Sequence, residues 1–113
     1  MSNKVILDTN FIMTCVKEKI DFFDDLSSMG FQIVIPKQVV KELERKNAGL
    51  ALKIIKSNKH ESLDLTVNYV DKGLIRYAKF HPKAFIATLD EDLKRKIKNQ
   101  KIVIRGKKKL GII

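Results

Sequence analysis

The hexapeptide Val5-Ile6-Leu7-Asp8-Thr9-Asn10 passes from an apolar run to an acid and two capping residues. Three apolar residues are too few for a helix and do not alternate with polar ones, which suits a strand buried on both faces. Ile33-Val34-Ile35, Ala84-Phe85-Ile86-Ala87 and Ile102-Val103-Ile104 have the same character. Strands covered on both faces belong to parallel sheets, and the intervening segments read as the helices that cover them. Thr9 or Asn10 can cap a helix running to about Lys19, and Asp21 to Met29 reads as a second, closed by Gly30. A third runs from Pro36 to about Lys46, and a fourth from Ala48 to Ser57, with Ala51, Ile54 and Ile55 at helical spacing. Further helices are expected over Val70 to Phe80, ending before Pro82, and over Asp92 to Asn99. Leu63 to Val67 alternates apolar with polar residues, as an edge strand does, and the final residues from Lys107 to Ile113 either fray or dock through Leu110, Ile112 and Ile113. The expectation is one α/β domain over residues 1–113, a three-layer α/β/α sandwich with a mainly parallel sheet and right-handed crossovers.

Composition narrows the function. The chain has 113 residues, 44% hydrophobic and 32% charged, which suits a folded domain and excludes a large multidomain enzyme or a disordered tail. The longest apolar run is Ala84 to Ala87, so neither a membrane span nor a signal peptide is expected. Cys15 alone cannot make an internal disulfide, and with only His60 and His81 beside it there is no zinc-type spacing, so a cytoplasmic protein is expected. Lysine and arginine number 23 against 13 acids, leaving +10. After Asp92 come Lys94, Arg95, Lys96, Lys98, Lys101, Arg105, Lys107, Lys108 and Lys109 without a further acid. Such a basic end attracts a phosphate backbone, although on charge alone a merely solvated face looks the same.

Against that basic background, several acids stand where ligands bind in open α/β sheets, just beyond strand carboxyl ends. Asp8 follows the first strand, and Asp90, with Glu91 and Asp92 behind it, follows Ala84 to Thr88. Each also reads as an ordinary helix cap. Asp71 falls within the apolar stripe of Val70, Leu74, Ile75, Tyr77 and Ala78, where an unpaired charge is costly; a first-turn cap and a metal ligand both fit it. On the third helix, Glu42 and Glu44 flank the stripe of Val39, Val40 and Leu43, and periodicity does not choose between them. Acids gathered at one sheet edge, with no His or Cys set, suit a hard cation, Mg²⁺ or Mn²⁺. Together with a basic surface they point to phosphodiester hydrolysis.

These segments resemble the PIN domain nucleases from Val5 to Leu110. Leu7-Asp8-Thr9-Asn10 is similar to the first acidic motif of that family, Ile35-Pro36 with Val39, Val40, Glu42 and Leu43 to the second, Val70-Asp71 with Leu74 and Ala78 to the third, and Ala87 to Leu93 to the fourth. The resemblance selects Glu42 over Glu44. It implies an RNase H-like α/β/α sandwich with endoribonuclease activity on single-stranded RNA. Asp8, Glu42, Asp71 and Asp90 would hold Mg²⁺ or Mn²⁺, with Asp92 as a fifth acid and Thr9, Asn10 and Thr88 in support. Lys94, Arg95, Arg105, Lys107, Lys108 and Lys109 would contact RNA. Lys72 stands where many relatives carry a second acid, and Leu89 where Asn is common; Lys72 beside Asp71 would weaken metal affinity. The Arg105 to Leu110 ending resembles archaeal-type relatives of the small-subunit pre-rRNA processing nuclease, and VapC-type toxins are the competing subgroup. A homodimer, an antitoxin or a ribosome-assembly partner are the partners the resemblance implies besides RNA.

Other readings fit less well. A haloacid dehalogenase-like phosphatase needs an acid two residues after Asp8, where Asn10 stands, and a phosphoacceptor domain needs an acidic pair where Asn3 and Lys4 stand. An RNA-binding PIN domain that has lost cleavage would lack a metal ligand, and none of the four is missing.

Overall fold

Backbone pairing joins the expected strands into one six-stranded sheet in a computed structural model that describes residues 3–106 and 108–113. The elements in order are β1 (Asn3–Leu7), α1 (Thr9–Lys17), α2 (Phe22–Ser28), β2 (Phe31–Pro36), α3 (Lys37–Arg45), α4 (Gly49–Lys56), β3 (Glu61–Leu63), α5 (Val70–Phe80), β4 (Phe85–Ala87), α6 (Glu91–Lys96), β5 (Lys101–Arg105) and β6 (Lys109–Ile112). The sheet order is β3-β2-β1-β4-β5-β6; only β6 runs antiparallel to its neighbour.

Burial explains why the apolar runs became central strands. Val5, Ile6 and Leu7 are wholly buried, and in register they pair Phe85, Ile86 and Ala87 on one side, while Val5 and Ile6 pair Ile33 and Val34 on the other. With right-handed crossovers, α1 to α4 cover one face and α5 and α6 the other, giving the three-layer α/β/α arrangement. Consistent with that division, α1, α3 and α4 pack against one another, and α5 packs on α6 and β4. The chain leaves β1 toward β2 but leaves β4 toward β5, so the connections diverge between two adjacent strands. A crevice opens at their carboxyl ends.

Several local expectations change. The cap of α1 is Asp8, rather than Thr9 or Asn10, and Lys19 (φ 59°) turns the chain two residues past the helix. Pro36 closes β2 and caps α3, one residue earlier than a first-turn proline. The edge strand is Glu61–Leu63, not Leu63 to Val67. Asp64 Oδ1 instead accepts from the Thr66 N–H (2.8 Å) and from Gln38 Nε2 (2.9 Å), and Thr66 takes φ 61°, a turn that no ladder can include. The alternation there reflects Leu65 packing under α5: a Cβ on Gly73 would meet Leu65 Cβ at 2.8 Å and Val67 Cγ2 at 2.9 Å. Gly73 thus lets this loop lie against the first turns of α5.

α6 is shorter than Asp92 to Asn99, ending at Lys96. Asn99 is buried, donating to the carbonyls of His81 (2.9 Å) and Ala84 (2.8 Å). The end of the chain docks as β6, through backbone pairing with β5 rather than through its large side chains: Leu110 is half-buried, but Ile112 and Ile113 remain exposed. Lys107 lies outside the described residues. No helix among the described residues is long and apolar enough to cross a membrane.

Candidate active site

Asp8 is the buried centre of the crevice. It follows β1 directly, its own N–H donates to the Ala87 carbonyl (2.9 Å), and it is only 4% exposed. Its Oδ1 accepts from the Thr9 N–H at 2.8 Å and its Oδ2 from the Thr88 hydroxyl, also at 2.8 Å. Thr88 is fully buried at the end of β4 and accepts in turn from the Asp90 N–H (3.1 Å). One hydroxyl therefore ties the acid after β1 to the acid after β4. Asp90 Oδ1 caps α6, accepting from the N–H groups of Asp92 (2.9 Å) and Leu93 (3.2 Å). The helix-cap reading of Asp8 and Asp90 is thus correct as far as it goes, and both carboxylates nevertheless line one cleft.

That cleft, of about 700 Å³, is lined by Asp8, Glu42, Asp71 and Asp90 together. Glu42 is half-buried on α3, whereas Glu44 is exposed and lies outside the cleft. Asp71 does not face the core, contrary to its place on the helical wheel. The residues of α5 that are buried are Val70, Gly73, Leu74 and Ala78, so the buried arc includes Gly73 and leaves Asp71 at its margin, exposed and lining the cleft.

The electrostatics are those of acids held close without a counterion. Burial pushes the Asp8 carboxyl up from 3.8 to about 6, against the two hydrogen bonds it accepts, and the charges of Asp71 and Glu42 push the same way. Asp71 is also raised, by partial shielding on the cleft wall and then by Asp90, Glu42 and Asp92, with Lys96 opposing. Among the described residues none of the four cleft acids forms a salt bridge, in a chain with 23 lysines and arginines. Their donors are all carboxylate oxygens, which suits a hard divalent cation. The buried Thr9 hydroxyl has no hydrogen-bond partner among the described residues, a further oxygen beside Asp8. The fit is chemical rather than a finished shell: among the described residues no three such side chains are arranged to hold an ion outright.

The remaining sequence candidates divide. Asn10 is exposed and lines the cleft. Asp92 does not line it; its carboxylate is taken by Arg95 (3.2 Å) and Lys96 (2.9 Å), which hold it below the usual carboxylate range. Lys94 pairs with Glu91 (2.9 Å). Arg105, Lys108 and Lys109 lie on the β5–β6 hairpin, at the sheet end where Asp8 stands but beyond the cleft lining. The cations that do line it are Arg45, Lys46 and Lys72, joined by Asn68 and Tyr69. Of these, sequence reasoning singled out only Lys72.

Comparisons with known proteins agree with this geometry. Residues 5–108 match a family described as PIN like domain. Ribonuclease VapC4 of Methanocaldococcus jannaschii is 31% identical over 93% of this chain and 92% of its own length. The rRNA-processing protein fcf1 of Schizosaccharomyces pombe is 35% identical over 83% of this chain, which spans about half (53%) of that relative. Among solved structures, the PIN domain endonuclease Utp24 superposes with a TM-score of 0.85 at 29% identity, covering 96% of this chain and 90% of that one.

Proposed function

Because the chain belongs to the PIN like domain family, we propose that its cleft hydrolyses RNA phosphodiester bonds with a divalent cation, as a metal-dependent endoribonuclease. The observation that carries this reading is the convergence of Asp8, Glu42, Asp71 and Asp90, without an ion pair among the described residues, on one cleft at the sheet's diverging connections. Those four residues would hold Mg²⁺ or Mn²⁺. When bound, such an ion acidifies water and offsets charge on the phosphate. The chain's own contributions are separate. The Thr9 N–H and Thr88 hydroxyl fix both oxygens of Asp8, and Thr88 and the α6 amides fix Asp90, so two carboxylates are held before any ligand arrives. Arg45, Lys46 and Lys72 would hold the phosphates flanking the scissile one, and the β5–β6 hairpin would extend that basic track.

Ribosomal RNA processing is the role we infer, supported by the fcf1 and Utp24 likenesses. One observation favours the toxin reading instead: VapC4 is matched over nearly its whole length, fcf1 over half. The decisive experiment incubates the protein with single-stranded and structured RNA in Mn²⁺, Mg²⁺ or EDTA. Cleavage of single-stranded segments in either metal and none in EDTA is expected. Binding without cleavage in both metals would refute the nuclease and leave an RNA-binding domain.

A further inference from the structure

Beside the four acids, an aromatic side chain lines the cleft. Tyr69 is 70% exposed, among the most exposed of the large hydrophobic residues. A single exposed aromatic is unremarkable on a surface. This one lines the cleft, and the Lys72 ammonium sits 5.5 Å from its ring centroid, within cation–π range. Its backbone is fixed: Tyr69 leads into α5 with φ −97° and ψ 122°, and its carbonyl accepts from the Gly73 N–H at 3.0 Å. The side chain makes no capping bond, so neither helix nor core explains it. A π-face beside Lys72, in a cleft also lined by Arg45 and Lys46, is the combination that binds single-stranded nucleic acid, where cations track phosphates and bases stack on aromatic rings.

We propose that Tyr69 is a positioning residue, a platform on which one unpaired RNA base stacks beside the acidic cleft, with Lys72 holding the adjoining phosphate. Resting on the RNA reading above, it adds a cause of substrate choice: a base locked in a duplex cannot leave its stack to reach the ring, so the platform selects single strands.

The test uses a short single-stranded RNA carrying 2-aminopurine, titrated with protein in EDTA and in Mg²⁺. Wild type should quench the fluorophore by stacking. Tyr69→Ala should bind about five-fold to a hundred-fold more weakly and lose the quench. Tyr69→Phe and Tyr69→Trp should retain both, whereas Tyr69→Leu, which keeps apolar bulk but no π-face, should behave as Ala. Because Leu and Phe are compared with each other, a purely structural role shows as rescue by Leu. Rescue by Leu, Ala equal to wild type, or no binding of this RNA by wild type in either condition overturns the proposal. Binding through Tyr69 without cleavage in Mg²⁺ or Mn²⁺ would refute the nuclease and leave the platform standing. Cleavage that Tyr69→Ala leaves unchanged would do the reverse.

Discussion

Asp8→Asn should stabilise the metal-free protein at neutral pH while abolishing cleavage. The folded carboxyl titrates at about 6 and the unfolded one near 3.8, so the native state binds the proton more tightly. Stability from this group is therefore complete below the unfolded value and lost as pH rises through the folded one. At 1.36 kcal/mol per pH unit, ionised Asp8 costs the fold about 3 kcal/mol, of which about 2 kcal/mol appears between roughly pH 4 and pH 7.5. An Asn keeps the oxygen that accepts from the Thr9 N–H, but turns an amide toward the Thr88 hydroxyl, which then lacks its acceptor at a cost of about 1 kcal/mol. The variant should therefore be more stable than wild type by about 1–2 kcal/mol near pH 7.5 and equal or slightly weaker near pH 4. Urea unfolding of both proteins in EDTA at the two pH values measures this. Adding Mn²⁺ should reverse the order near pH 7.5, since metal at a hundredfold its Kd stabilises wild type by about 2.7 kcal/mol and has little hold on the variant. If Asp8→Asn is instead weaker at both pH values by the same amount, the charge serves α1 as a cap and the reasoning fails.

Thr88→Val leaves the Asp90 N–H without its acceptor and should lower stability by about 1–3 kcal/mol. Because the Thr88 hydroxyl bond holds the Asp8 pKa down, removing it should also move the acid limb of metal-dependent cleavage to higher pH; a profile unmoved in Thr88→Val would refute the coupling. Replacing Lys108 and Lys109 together by Ala should weaken RNA binding across sequences and flatten its salt dependence by about one for each phosphate no longer neutralised, whereas an unchanged slope would make the hairpin a solvated end.

What was legible in the sequence was whatever local chemistry dictates. Unbroken apolar runs marked β1, β2, β4 and β5, and the acids after β1 and β4 could be placed at strand ends without a structure. Periodicity failed at the margins of buried stripes. Asp71 shares the wheel sector of Leu74, but the buried arc of α5 also takes in Gly73, which an apolar stripe read from side chains leaves out, and that puts Asp71 at its margin. The same blindness left Glu42 and Glu44 equivalent until the family resemblance chose between them, and α3 places only Glu42 in the cleft. Leu63 to Val67 imitated a strand because Leu65 packs under α5, an arrangement that depends on Gly73 having no Cβ. β6 was left open between fraying and docking, since Lys109-Leu110-Gly111-Ile112 has no apolar run and alternates over only four residues. Arg45, Lys46 and Tyr69 join the cleft through tertiary geometry alone.

The four acids are far apart in sequence, and the topology explains why they meet. Asp8 and Asp90 each cap the helix that follows one of two adjacent strands, so the sheet order alone fixes their proximity, and Thr88 sets it at the level of single hydrogen bonds. Glu42 and Asp71 come from α3 and α5, on opposite faces of the sheet, and close the crevice from either side where the connections diverge. Such a construction leaves two carboxylates fixed by hydrogen bonds and two on the walls. Burial first, and the neighbouring carboxylates after it, raise the pKa values of Asp8 on the floor and Asp71 on a wall. Those four acids would hold a divalent cation, whose charge would offset their mutual repulsion, so stability and cleavage should respond to the same metal with the same affinity.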